Sequence, residues 1–126
     1  MLFRKSMGAR MHDYPQLARD ISVQLGDFRR EMPDTMKGFA QMSRAANTDG
    51  ALSHKHKELI AMAIGVASRC QGCLAFHAKA LVELGCSRQE FMEMLQVAVY
   101  MGGGPSLMTA AEAVAAFESF GGEKAA

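Results

Sequence analysis

The sequence predicts an all-α fold of about six helices, and three observations carry that expectation. Apolar residues recur at helical spacing from Leu17 through Phe117. The stretches between them are short clusters of capping and turn residues, and no alternating run makes a credible strand hairpin. The composition, with 11 Met, abundant alanine, two Tyr, seven Phe and no Trp, favours helices over sheets.

Residues 1–12 show no periodicity and read as a loose lead-in; residues 13–122 read as a single helical domain and 123–126 as a tail. Asp13-Tyr14-Pro15 is a helix start, with a capping acid followed by proline in the first turn. Leu17, Ile21, Leu25 and Phe28 continue that helix, and Arg29 and Arg30 suit the negative end of its dipole. Pro33 ends it or opens the next, whose one face carries Met36, Phe39, Ala40 and Ser43. Asn47-Thr48-Asp49-Gly50 is a turn. Ser53 caps a third helix from His54 to about Arg69, with Leu59, Ile60, Ala63, Ile64 and Ala67 apolar and Met62 and Val66 widening the stripe. A stripe that wide predicts burial on more than one side. Arg69-Cys70-Gln71-Gly72 interrupts the pattern, Gly72 being the residue expected to allow a reversal. A fourth helix runs from about Cys73 to Leu84 and stops at Gly85. Ser87-Arg88-Gln89-Glu90 is a capping box that opens a fifth, with Phe91, Met94, Leu95, Ala98 and Met101 inward. Gly102-Gly103-Gly104-Pro105 breaks it and starts a sixth, where alanines allow close helix approach and Val114, Phe117 and Phe120 supply bulk.

At 126 residues and 49% apolar, the chain can bury one modest core. A net charge of +1 makes no electrostatic case for nucleic acid or membrane binding. No apolar run nears the ~20 residues needed to cross a bilayer, and Met1-Leu2-Phe3-Arg4-Lys5 is not followed by a signal-peptide core. A cytoplasmic protein is the expectation. Three cysteines, an odd number, argue against a secreted disulfide framework.

The chemistry concentrates in Cys70-Gln71-Gly72-Cys73-Leu74-Ala75-Phe76-His77. Cys73 and His77 lie one helical turn apart, and Cys70 joins them within an arc of roughly 60° if the helix reaches back that far. A thiol attacks only as thiolate. His77 can take its proton, the helix N-terminus favours its charge, and Arg69 is a nearby cation. The spacing to His77 makes Cys73 the first attacker and Cys70 the resolving thiol; the reverse order, as in thioredoxin-type pairs, stays open. Two other readings also stand. Cys70, Cys73 and His77 offer three zinc ligands with Cys86 or His54 as a fourth, or the thiols are inert core. Cys86 itself reads as a small buried residue. The basic turn His54-Lys55-His56-Lys57 reads as solvated charge, and Tyr100 with Met62, Met92, Met94, Met101 and Met108 as core and interface filler.

Glu58-Leu59-Ile60-Ala61, the Cys70-x-x-Cys73-x3-His77 run and Gly102-Gly103-Gly104-Pro105 together resemble the carboxymuconolactone decarboxylase-like superfamily, and within it the alkylhydroperoxidase D-like branch, over roughly residues 35–120. The resemblance implies an all-helical homo-oligomer, trimer or hexamer. It also implies a cofactor-free, peroxiredoxin-type thiol peroxidase or disulfide reductase that acts on a small-molecule peroxide or disulfide and is reset by an external dithiol reductant. It implies no metal. It carries the attacking role onto Cys73, the resolving role onto Cys70, and the proton relay onto Glu58 and His77. One position departs from the pattern: hydroperoxidase members have a second histidine beside the second cysteine, where this chain has Gly72. Glu58 precedes Cys70 by about 18 Å of straight helix, so it can join the site only if the chain reverses near Gly72. The rival readings are a lactone-processing decarboxylase, a branch that lacks the paired cysteines, and a non-enzymatic metal-binding or structural helical module.

Overall fold

The Asp13 carboxylate accepts from the Gln16 amide at 3.0 Å and, with Pro15 in the first turn, starts helix α1, Tyr14–Glu31. Five more helices follow: α2 Pro33–Asn47, α3 His54–Ala67, α4 Gln71–Glu83, α5 Arg88–Gly102 and α6 Gly104–Ser119. The structure, a computed structural model, describes residues 11–126. Residues 1–10 of the expected lead-in lie outside the described residues. Pro33 opens α2 rather than closing α1, since its missing N–H is harmless at a first helical position. The capping box at α5 forms as its sequence requires: the Glu90 amide donates to Ser87 Oγ, and the Ser87 amide donates back to the Glu90 carboxylate.

Helices α3 to α6 enclose the core, with α4 at its centre against α1, α3 and α6. Met62 and Val66 of α3, Leu74, Ala75, Ala78 and Leu81 of α4, Phe91 of α5, and Ala113, Ala116 and Phe117 of α6 are fully buried. Phe91 and Phe117 stack with ring centroids 4.4 Å apart. The alanines of α6 do what small residues permit and let α4 approach closely. From α1 only Tyr14 and Ala18 are buried, while α2 lies against α1 and the edge of α3 and buries no residue at all. Its apolar side chains Phe39 and Met42 stand 62% exposed each.

Several expected core positions face outward. Met101 and Tyr100 on α5, Met108 on α6 and Met92 on α5 are exposed. On α3, Ile60 and Ile64 are also exposed, so that helix is buried on one side and apolar on the other. The width of its apolar stripe is real, but Ile60 and Ile64 find no cover among the described residues.

The reversal between α3 and α4 is not made at Gly72. It is made at Arg69, whose φ of 54° is left-handed. The Cys70 amide donates to the Gly65 carbonyl and the Arg69 amide to that of Val66, the two bonds of a Schellman closure. Glycine is the usual residue at this position; an L-residue there costs about 1–2 kcal/mol. Gly72 sits inside α4, and its reason is proximity: a Cβ there would lie 2.9 Å from Ile21 Cδ1 of α1.

Candidate functional site

Cys70 is the N-cap residue of α4, with extended backbone and a sulfur that accepts from the Cys73 amide at 3.1 Å. Cys73 stands in the first turn and His77 one turn further. The two cysteines form a disulfide, with their Cα atoms 5.1 Å apart. Both are half-buried. A sulfur at an N-cap occupies the place where a serine or aspartate oxygen usually sits, so free N–H groups and the helix dipole favour a thiolate there.

Antiparallel packing of α3 on α4 assembles the rest. Gly65 on α3 faces Cys73: a Cβ at Gly65 would sit 3.0 Å from Cys73 Cβ. Two turns back along α3, Glu58 therefore meets His77, and Glu58 Oε2 lies 2.6 Å from His77 Nδ1. Glu58 is the most buried member, with 8% of its side chain exposed against 31% for His77. The contact engages Nδ1 and leaves Nε2 as the other ring nitrogen, on a side chain one helical turn from Cys73. The chain reversal needed to bring Glu58 to the dithiol is thus present, made by Arg69 and Cys70 in place of Gly72. Gly65→Val, which drives methyl groups into Cys73, should lower stability by about 1–3 kcal/mol and spread the α3–α4 pair; a chemical denaturation midpoint measures the first effect.

The basic turn at the start of α3 stays partly exposed, and its groups also find partners. Lys55 Nζ pairs with Glu90 Oε2 at 2.8 Å, Lys57 Nζ donates to the Thr48 carbonyl at 2.6 Å, and His56 Nδ1 meets Ser53 Oγ at 2.8 Å. The Lys55 hydrogen bond, followed by the Ser87 amide, holds the Glu90 carboxyl down at about 2. His54 Nε2 lies 3.4 Å from Glu58 Oε1. The sequence offered a signal for this contact, because His54 precedes Glu58 by one turn on the same helix.

A second polar group lies behind the dithiol. Gln71, between the cysteines, donates through Nε2 to Glu112 of α6, while its Oε1 has no partner among the described residues. Tyr14 is fully buried, its hydroxyl has no partner among the described residues, and burial, then the Glu112 carboxylate, push its phenol up to about 12. Sequence periodicity could not flag these residues, because they meet only through the packing of α1, α4 and α6. Cys86 is apart from the site, buried beside Ser87, and burial followed by Glu90 pushes its thiol up to about 11. A thiol so held stays protonated and unreactive. Among the described residues, no group of three or more His, Cys, Asp or Glu side chains has the geometry to hold a metal.

A family model described as the carboxymuconolactone decarboxylase family matches residues 33–116. An uncharacterized protein of Cupriavidus necator is 35% identical over 100 residues, which are 79% of this chain and 88% of that protein. An uncharacterized protein of the cox locus of Paracoccus denitrificans is 30% identical over 101 residues, 80% of this chain and 91% of that one. Among solved structures, an apo crystal structure of a carboxymuconolactone decarboxylase family protein from Legionella pneumophila shares 55% identity. It superposes with a TM-score of 0.84, covering 85% of this chain and 96% of that one.

Proposed function

This chain belongs to the carboxymuconolactone decarboxylase family, and on that premise we propose that it is a cofactor-free dithiol oxidoreductase of the alkylhydroperoxidase D-like kind, reducing small hydroperoxides or disulfides. The observation that carries the reading is the Glu58–His77 contact of 2.6 Å beside the Cys70–Cys73 pair. A disulfide alone is structural chemistry; a disulfide with a buried carboxylate–imidazole pair on the same helical face has a place for a proton.

In the proposed cycle His77 Nε2 takes the proton of Cys73, and Glu58 holds the imidazolium in position. The Cys73 thiolate attacks the terminal oxygen of ROOH. The S–O bond forms as the O–O bond breaks, sulfur is oxidised by two electrons, and the alkoxide leaves as ROH with the proton returned by His77. Cys70 sulfur then attacks the Cys73 sulfenic acid, releasing water and closing the disulfide; the Cys70 proton goes to the departing hydroxide. An external dithiol reduces the disulfide and is itself oxidised. The N-cap position suits Cys70 for resolution, since the Cys73 amide stabilises its thiolate both as attacker and as leaving group on re-reduction. With a disulfide substrate, thiol–disulfide exchange through a mixed disulfide replaces the first step.

The chain is further proposed to assemble as a trimer or hexamer. The exposed Phe39 and Met42 of α2, a helix that buries nothing by itself, support this, as do Ile60 and Ile64 of α3. Among the described residues no helix is long and apolar enough to cross a membrane, and a dithiol that must be kept reduced fits a cytoplasmic setting.

Stopped-flow mixing of the reduced protein with hydroperoxides and with an aryl disulfide, coupled to a thiol count, tests the reading. Two thiols should be lost per chain. Cys73→Ser should abolish the reaction, and Cys70→Ser should stop it at a trappable sulfenic acid. A wild-type protein that keeps both thiols with either oxidant would sink the proposal. Turnover of a lactone that survives both serine variants would move the chain to the decarboxylase branch.

A further inference from the structure

The Glu58 carboxylate is held between two imidazoles. Its Oε2 meets His77 Nδ1 at 2.6 Å, and its Oε1 lies 3.4 Å from His54 Nε2. The Glu58 side chain is 8% exposed, His77 31% and His54 39%, so the contact gives a buried acid a second, more open ring toward water. His54 is held where it is by more than chance rotamers. It is the first residue of α3, and its amide donates to Asp49 Oδ1 at 2.6 Å, fixing the start of the helix and hence the one-turn offset to Glu58.

We propose that His54 is a positioning and proton-exchange residue for the dithiol, the outer end of a relay that runs Cys73 Sγ, His77, Glu58, His54, water. The proposal rests on the dithiol reading above and adds a residue that reading does not need. The proton that leaves Cys73 for His77 Nε2 displaces the one on His77 Nδ1 toward Glu58 Oε2. That proton, now on the carboxyl, passes to His54 Nε2 as the group turns, and His54 Nδ1–H releases one to solvent. The reverse sequence returns a proton to the alkoxide or hydroxide. Glu58 ends each transfer as the carboxylate it began as. The arrangement also separates two tasks. His77, one helical turn from Cys73, serves the sulfur. His54 exchanges protons from the other oxygen of the same carboxylate.

The test uses the reduced full-length chain, hydrogen peroxide and an aryl disulfide as oxidants, and weak buffer. His54→Ala should slow thiol loss by roughly tenfold, the scale of outer-shell partners at polar sites. Added imidazole should restore most of that rate, because a small diffusible base can replace a proton carrier but not a packing contact. His54→Gln, which keeps a polar group near Glu58 but carries no proton, should be as slow as His54→Ala. His56→Ala, which removes an imidazole engaged with Ser53 on the same turn, should keep the wild-type rate. A wild-type rate in His54→Ala, a slow His54→Ala that imidazole does not speed, or a fast His54→Gln would each overturn the proposal while leaving the dithiol reading intact. A wild-type chain inert to both oxidants would overturn the dithiol reading itself, whatever residue 54 is.

Discussion

Glu58→Gln should reduce the rate of two-thiol oxidation by about 10²-fold or more, the range for a group that supports general acid–base catalysis, without loss of the helical fold. The amide keeps the shape of the carboxylate and can still accept from one imidazole. It removes the negative charge that stabilises protonated His77 after Cys73 gives up its proton. The effect should appear in the rate of thiolate attack and much less in re-reduction of the Cys70–Cys73 disulfide, where the external dithiol brings its own nucleophile. Stopped-flow oxidation beside a reduction assay separates the two. Equal rates for Glu58→Gln and wild type in the oxidation step would remove Glu58 from the relay and reduce it to a buried acid satisfied by two histidines.

The second large effect concerns the frame. Phe117→Ala should cost about 3–5 kcal/mol. Phe117 is fully buried, stacked on Phe91, and Gly122 folds back so closely that even a Cβ there would strike its ring. The Gly122 amide closes α6 onto the Phe117 carbonyl, so collapse into the cavity is limited on that side. Domains of this kind are stable by only about 5–15 kcal/mol, so the variant should unfold at a much lower denaturant concentration, with the slope of the transition unchanged. A shift worth less than about 1 kcal/mol would mean that the core repacks around the void.

The helices themselves were legible in the sequence because their signals are local. Asp13-Tyr14-Pro15, Ser53 and the Ser87–Glu90 box each satisfy amide groups within one turn, and the structure uses all of them. The dithiol was legible for the same reason: Cys70, Cys73 and His77 lie within eight residues of one helix start. The reversal was legible as a requirement and wrong in its residue. Glycine marks left-handed backbone at Gly85, Gly103 and Gly121, but here a Schellman closure forces Arg69 into it. Gly72 instead answers to Ile21, some fifty residues earlier in the chain.

Periodicity also assigned Ile60, Ile64 and Met101 to the interior. A helical stripe says that a face is apolar and cannot say whether this chain or another covers it. Charge in the first turn of α3 looks unfavourable from the sequence until its partners are known: Lys55 meets Glu90 of α5 and Lys57 the Thr48 carbonyl, both outside α3, while His54 meets Glu58 one turn along it.

By itself, then, the sequence determined the six helices of the described residues, the side-chain caps that start three of them, and a thiol pair with an imidazole one turn away, since each of these depends on groups within a few residues. Tertiary structure alone decided that Glu58 reaches His77 and that Gln71 and Tyr14 gather at Glu112. Those contacts depend on the antiparallel register of α3 on α4 and on how closely α1 and α6 approach. Close packing at Gly65, Gly72 and the alanines of α6 sets that register, by which side chains are small enough to let backbones meet.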